Sequence, residues 1–171
     1  MNTVQKRVLK PMTDRELEKY IGFNRVVKYS DLDESFNSIY ELLPLPIDFR
    51  IVLFETDFNL GHWICVIRND PLNEMVYFDS YGSNLGSLYS NNSNKSNMDL
   101  GNKPNAILAL LATRKNKIKL IVNRYPFQSK TNGAETCGRW CILFIKFYLD
   151  LNHNLSEFYK FVMKKQKKNE I

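Results

Sequence analysis

The feature that most constrains the fold of this chain is a mostly polar loop that leads directly into an apolar helical segment. Residues 128–136 form the loop, and residues 137–151 carry apolar side chains at helical spacing. We therefore expect residues 137–151 to form the central helix of the core. Cys137 would lie in its first turn, where unpaired backbone N–H groups and the positive end of the helix dipole favour a thiolate. The stretch predicts a reactive cysteine at the start of a buried helix.

Length and composition predict one domain in a reducing compartment. The chain has 171 residues, of which 44% are hydrophobic, and this is enough for one sizeable core. Residues 1–10 are basic and lack an apolar signal-peptide segment, and the longest apolar runs are far short of the roughly 20 residues that a membrane span needs. Three cysteines, an odd number, argue against a disulfide scaffold, and with two histidines they make a poor zinc site. We expect no cofactor, no metal and no membrane partner.

The charge of the chain is concentrated at its ends. The net charge is +6, and the terminal cations are Lys6, Arg7, Lys10, Lys160, Lys164, Lys165, Lys167 and Lys168. Such ends are typical of solvated tails that increase solubility. They would also attract DNA or another polyanion without sequence specificity. Both interpretations stay open.

Apolar periodicity and turn residues predict a chain of class α+β. A capping box from Thr13 to Glu16 and a glycine at position 22 predict a first helix that ends at Tyr20 or Ile21. Residues 80–103, rich in asparagine, serine and glycine, predict a long surface loop or a partly disordered insert. Further helices are predicted at residues 30–43, 104–112, 137–151 and 156–163, strands at residues 49–54, 62–68, 75–79 and 117–122, and a link or short strand at residues 24–29.

The second and third predicted strands form a hairpin that brings a histidine to a carboxylate. Its turn, residues 69–72, contains Asx and proline signals. If pairing begins directly outside this turn, His62 falls opposite Asp79, and side chains opposed in this way have Cβ atoms about 5 Å apart. At that distance a carboxylate can hydrogen-bond an imidazole N–H and fix its tautomer. A shift of the register by one residue would separate the two side chains.

The remaining candidates have simpler interpretations. His153, between two predicted helices, is typical of a surface or helix-capping histidine. Cys65, inside a strand, and Cys141, one turn into the central helix, are typical of small buried side chains. An oxyanion hole at the start of the central helix would need backbone N–H groups and one side-chain amide. Gln128 is the first candidate for that amide and Asn132 the second, and either could instead cap a loop.

Four strings of residues, in this chain order, match one family pattern. They are Gly61-His62-Trp63, Phe78-Asp79-Ser80-Tyr81-Gly82, Gln128 and Cys137-Gly138-x-x-Cys141. Over about residues 49–151, the chain resembles the adenovirus-type maturation proteases and, more distantly, the SUMO and ubiquitin-like-protein proteases. The closest likeness is to the small proteases of virophages and Polinton-like elements. One spacing differs, because Gln128 lies nine residues before Cys137, where the family usually has six or seven.

The resemblance implies an α+β, papain-like cysteine protease core, in which a central mixed sheet packs on a helix with the nucleophile at its N-terminus. By that resemblance Cys137 is the nucleophile, His62 is the general base, Asp79 orients His62, and Gln128 completes the oxyanion hole. Residues 1–171 would form a single protease domain, divided into N-terminal helices at 1–45, a catalytic core at 49–151, a polar insert at 83–103, and a C-terminal helix with a basic tail at 152–171.

The implied activity is that of a viral cysteine endopeptidase that cleaves capsid or other virion precursors during particle maturation. Its protein substrates would be major or minor capsid precursors, and it would act as a monomer in the virion, the host cytoplasm or the virus factory. An activating peptide or DNA could be required, since adenoviral relatives use both. Three alternatives stay open: an isopeptidase that removes ubiquitin-like modifiers, an acyltransferase with a similar triad, and an inactive nucleic-acid-binding virion protein.

Overall fold

The computed structural model describes residues 11–128, 136–150 and 154–167. Its strands are β1 (Val26–Lys28), β2 (Ile47–Asp57), β3 (Leu60–Asn69), β4 (Glu74–Asp79) and β5 (Lys119–Val122). Within the described residues they form one mixed sheet, in the spatial order β1-β2-β3-β4-β5. The two outer pairs are parallel and the two inner pairs are antiparallel. The predicted α+β class with a central mixed sheet is confirmed.

Helices cover both faces of this sheet. They are α1 (Asp14–Ile21), α2 (Leu32–Ser35), α3 (Ile39–Leu42), α4 (Ser87–Ser90), α5 (Asn94–Asp99), α6 (Ala106–Ala112), α7 (Cys137–Asp150) and α8 (Leu155–Lys167). The first helix begins and ends as its sequence predicts. The Thr13 side chain accepts a hydrogen bond from the Glu16 N–H, and the Glu16 side chain binds the Thr13 N–H in return. Gly22, with φ at 91°, ends the helix.

The sheet separates two apolar clusters, because successive side chains of a strand point to opposite faces. On one face Trp63, Cys65 and Ile67 of β3 pack in a cluster with side chains of α7 and α8. On the other face Ile64 and Val66 pack with α3 and α6. The helix that begins at Cys137 therefore lies in the core, as predicted, and it contacts β3 more closely than any other strand.

The predicted helix at residues 30–43 is interrupted in the structure. Phe36 is extended and separates α2 from α3. The backbone N–H of Asn37 donates to the carboxylate of Glu41 over 2.8 Å. Ser35, Asn37 and Ser38 are poor helix formers, and this run overrides the apolar spacing.

The polar insert at residues 83–103 contains α4 and α5 rather than loop alone. Buried asparagines order it: Asn97 Nδ2 donates to the carbonyl of Tyr89 over 3.0 Å. Asn102 Nδ2 donates to the carbonyl of Glu55 on β2 over 2.9 Å. The first bond orders the insert internally and the second joins it to the sheet, so its asparagines have a structural role that composition alone does not reveal.

Candidate active site

His62 and Asp79 lie together in the structure, but not through the predicted register. The hairpin pairs Asp79 with Ile64 and Asn69 with Glu74, so the direct pairing of His62 with Asp79 is wrong by two residues. A shift of two residues keeps both side chains on the same face of the sheet. The imidazole consequently reaches the carboxylate diagonally, and His62 Nε2 lies 2.6 Å from Asp79 Oδ1.

Asp79 is fully buried and held from several directions. Its Oδ1 also accepts the backbone N–H of Tyr81 over 2.8 Å. Its backbone carbonyl accepts a hydrogen bond from Asn123 Nδ2 over 2.6 Å. Burial by itself raises the pKa of the carboxyl, but hydrogen bonding to His62, the charge of that imidazole and the Tyr81 N–H outweigh it, and the pKa of Asp79 is lowered. Asp79 is therefore a carboxylate at neutral pH.

His62 is equally constrained. The ring of Tyr81 stacks on the imidazole, with the ring centroids 4.5 Å apart. Burial lowers the pKa of His62, but the hydrogen bond to Asp79 and the interactions with Cys137 outweigh burial and raise it to about 9. Its other ring nitrogen, Nδ1, is buried and has no hydrogen-bond partner among the described residues. Nε2 of the imidazole is thus held by the Asp79 carboxylate, whereas Nδ1 has no hydrogen bond among the described residues.

The sulfur of Cys137 is fixed against the backbone of β3. The backbone N–H of Trp63 donates to Cys137 Sγ over 3.4 Å. One helical turn later, Cys141 Sγ donates to the carbonyl of the same Trp63 over 3.5 Å. Between them a Cβ at position 138 would lie 3.2 Å from Trp63 Cδ1, so glycine allows α7 to approach the strand this closely. The side chains of Cys137 and Cys141, with glycine between them, thereby hold the start of α7 against Trp63 of β3.

This contact is possible because β4 is short. Pairing between β3 and β4 ends at Ile64 and Asp79, so the backbone of Trp63 has no paired residue on β4. Cys137 belongs to the cluster on the α7 face, whereas His62 alternates with Trp63 along β3. The sulfur lies at the edge of β3 beyond the end of β4, where it is close enough to the imidazole to raise the pKa of His62. The end of a strand, and not a shared face, brings the thiol to the histidine.

Gln128 is buried beside the same corner. Its Oε1 accepts a hydrogen bond from Ser80 Oγ over 3.1 Å, and its Nε2 donates to the hydroxyl of Tyr81 over 3.3 Å. Its backbone N–H donates to the carbonyl of Ser80 over 3.0 Å. The loop after β5 therefore delivers this amide to the acid-bearing turn. Asn132, the second candidate, lies outside the described residues.

The other candidate residues behave as small core side chains or are not described. Cys65 and Cys141 are fully buried, and burial raises the pKa of the Cys141 thiol well above its usual value. His153 lies outside the described residues. Among the residues described, no three or more His, Cys, Asp or Glu side chains lie close enough together to hold a metal ion. In the same part of the chain, every helix is too short or too polar to cross a bilayer.

Two contributors to the site were missed from the sequence. Tyr81 stacks on the imidazole and binds Gln128, although the sequence presented it only as part of a turn. Asn123 is buried, and its side chain links the Asp79 carbonyl to the backbone of Tyr125. Its position directly after the fourth predicted strand was a signal for a turn, with nothing to indicate its partner. His62 and Tyr81 also line a pocket of about 250 Å³ with residues of the insert.

Comparisons with known proteins place the chain among viral proteins. No model of a protein family matches it. It is similar to "Uncharacterized protein V9" of the Sputnik virophage: the two are 31% identical over 156 residues, which cover 88% of this chain and 78% of the virophage protein. The relative is itself uncharacterized, so the comparison supplies a viral context and no chemistry.

Proposed function

The chain belongs to the family of the Sputnik virophage protein V9, and from this premise and the geometry of the site we propose that it is a viral cysteine endopeptidase. We assign the nucleophile to Cys137, the general base and acid to His62, and the orienting carboxylate to Asp79. The architecture fits a papain-like core, since the nucleophile begins a buried helix and the histidine and acid lie on adjacent strands. The observation that carries the proposal is the meeting of the three groups at the end of β4.

The two nitrogens of His62 suit opposite tasks. Nε2 is held by the Asp79 carboxylate at 2.6 Å, which leaves Nδ1 for the sulfur. With a pKa raised to about 9, mainly by Asp79 and Cys137 against the effect of burial, the imidazole is protonated at neutral pH. A protonated imidazole beside the sulfur favours the thiolate, and the Trp63 N–H also donates to that sulfur. The proposed reaction accordingly starts from the Cys137 thiolate beside the His62 imidazolium.

Peptide hydrolysis then proceeds in two halves. The Cys137 thiolate attacks the carbonyl carbon, a carbon–sulfur bond forms, and the carbonyl electron pair moves to oxygen. When this intermediate collapses, the carbon–nitrogen bond breaks and His62 gives its proton to the leaving amine. The neutral imidazole next takes a proton from water, whose oxygen attacks the thioester carbon. The carbon–sulfur bond breaks, which releases the carboxyl product and restores the thiolate.

Negative charge on the substrate oxygen requires donors at the start of α7. Backbone N–H groups in the first turn of a helix are unpaired and point towards its N-terminus, so those at Cys137 and Gly138 are suited to this task. Gln128 is our choice for the side-chain donor, because its amide is buried beside Ser80 and Tyr81 in the same corner.

The relative supplies a viral context, within which we choose the substrates. We propose that the enzyme cuts capsid or other virion precursors during maturation, in the particle, the host cytoplasm or the virus factory. The test is co-expression of the full chain with each candidate capsid precursor of the same virus, followed by intact-mass analysis of the precursor. Wild type and Cys141→Ala should cleave a precursor at one position, and Cys137→Ala should not.

Cys141→Ala is the matched control, because it removes a buried thiol from the same helix and leaves the nucleophile intact. Equal cleavage by wild type and Cys137→Ala would assign the activity to a contaminant. No cleavage of any precursor, together with no preferential alkylation of Cys137, would favour the inactive virion-protein alternative.

A further inference from the structure

A groove of about 590 Å³ opens beside the proposed nucleophile. It runs between the start of α1, β1 and the tip of the β2–β3 hairpin. Gly61 and Trp63 line its inner end, together with Met12. The same Trp63 donates its backbone N–H to the sulfur of Cys137. The groove and the proposed nucleophile are therefore linked through Trp63, which lines the groove and binds the sulfur.

The inner surface of the groove is largely apolar. Val26, Val27 and Leu53 line it, and Leu60 at the start of β3 is 53% exposed. Leu60 lies on the same strand as His62, two residues before the proposed base. An apolar surface of this size beside a reactive group fits a side chain of a substrate.

The rim of the groove is acidic, although the chain as a whole has a net charge of +6. Its carboxylates belong to Asp14, Glu18 and Asp31. Within the described part of the chain, no ion pair involves any of the three. The one cation in the lining, Lys28, is 3.0 Å from the carboxylate of Glu55 and is neutralised by it. Three carboxylates without an ion-pair partner among the described residues thus line an opening that also has apolar walls.

We propose that this groove selects substrate segments in which an apolar residue adjoins a lysine or arginine, at a fixed distance on one side of the scissile bond. This inference rests on the proposed function, and it names the class of polypeptide that the enzyme accepts. The apolar side chain occupies the floor, and the basic side chain meets the acidic rim. Because the carboxylates are near solvent, the selection is electrostatic and weakens as salt concentration rises.

Binding can be measured separately from proteolysis. The probes are two fluorescein-labelled peptide pools with identical apolar positions, one with lysine and the other with glutamine at the remaining positions. Anisotropy with full-length Cys137→Ala protein should show about fivefold to tenfold tighter binding of the lysine pool at low salt. The triple variant Asp14→Asn, Glu18→Gln, Asp31→Asn in the same background should lose this preference. A control that neutralises Glu41, Asp99 and Asp150, carboxylates outside the groove, should retain it.

Cleavage gives the second readout. Wild-type protein incubated with a peptide library from a whole proteome should cut next to apolar residues with lysine or arginine enriched at one position. The enrichment should disappear in the triple variant while the rate at uncharged sites is unchanged. Equal affinity for the two peptide pools would overturn the proposed selectivity. Cleavage without enrichment of lysine or arginine would do the same. Neither result would contradict the proposed protease activity. Lysine-selective binding without any Cys137-dependent cleavage would support the selectivity of the groove and contradict the proposed protease activity.

Discussion

His62 Nε2 lies 2.6 Å from Asp79 Oδ1, although Asp79 is paired across the sheet with Ile64. The contact is diagonal, between residues on one face of two antiparallel strands. It is stabilised at one end by the ring of Tyr81, which stacks on the imidazole, and at the other by the Tyr81 N–H, which binds the carboxylate. A single residue, Tyr81, which follows the end of β4, therefore fixes both members of the pair.

The Asp79 carboxylate should be essential for activity because it lies beside His62, and not because it stabilises the fold. We expect Asp79→Asn to lower kcat by about 100-fold or more, because the amide cannot hold the imidazolium in its charged form. Asp57→Asn, at the exposed end of β2, should leave kcat within about twofold. Steady-state kinetics on a cleaved precursor peptide measure both. Similar losses in the two variants would refute the role assigned to Asp79.

Thiol chemistry should distinguish the three cysteines. Iodoacetamide near neutral pH should alkylate Cys137 first, because the proposed general base His62 and the Trp63 N–H lie beside its sulfur. Cys141 should react last, since burial raises the pKa of its thiol. Peptide mapping by mass spectrometry gives the order. In His62→Gln protein the advantage of Cys137 should shrink at least tenfold, and an unchanged order there would separate the thiol from the histidine.

Stability should depend on pH through His62. Its pKa rises from 6.5 to about 9 on folding, because the Asp79 hydrogen bond and Cys137 outweigh burial. The folded state thus binds this proton more tightly, so the stabilisation is complete below about pH 6.5 and is lost as pH rises towards 9. Guanidinium unfolding of wild type and His62→Gln should give a free-energy difference that falls between these pH values. A difference that grows over this range would contradict the assignment.

The hairpin tip should not tolerate a side chain at position 61. A Cβ there would lie 2.0 Å from the carbonyl oxygen of Phe54, so Gly61→Ala must displace the strand beside His62. We expect a loss of about 3 kcal/mol in the free energy of unfolding, with a larger loss of activity. Gly86→Ala is the control, because its Cβ would meet only Leu108 Cδ1 at 3.8 Å. Thermal melts compare the two, and equal melting temperatures would show that β3 adapts.

The Tyr81 hydroxyl should matter for catalysis through Gln128. Tyr81→Phe keeps the ring on His62 but removes the oxygen that accepts a hydrogen bond from Gln128 Nε2. If Gln128 serves the oxyanion, kcat should fall about tenfold with KM nearly unchanged. Tyr40→Phe, which removes a hydroxyl bonded to the Lys115 N–H far from the site, should leave kcat unaltered. Equal kinetics of both variants and wild type would remove Gln128 from the mechanism.

Local sequence was sufficient for most of the helices and strands, and it selected the three side chains on which the proposed function rests. The Thr13 capping box, the alternation along β3 and the apolar face of α7 are short-range patterns with direct physical causes, and the structure agrees with them. The role of the buried Asn102 in the insert was not predictable, because its partner, the Glu55 carbonyl, is distant in the chain. The break at Phe36 has a local cause, the poor helix formers around it, which the apolar spacing concealed.

The register of β3 against β4 was predicted incorrectly from the sequence. The sequence predicts a turn at residues 69–72, whereas the loop occupies residues 70–73 and closes at Asn73 with a left-handed backbone, φ 51°. Moving a four-residue loop by one position changes each pairing by two, so side-chain faces are conserved. Alternation along the two strands is thus enough to place His62 and Asp79 on one face. The early end of β4, which lets Cys137 approach from the opposite face, follows from long-range packing, because strand length and helix position depend on contacts distant in the chain.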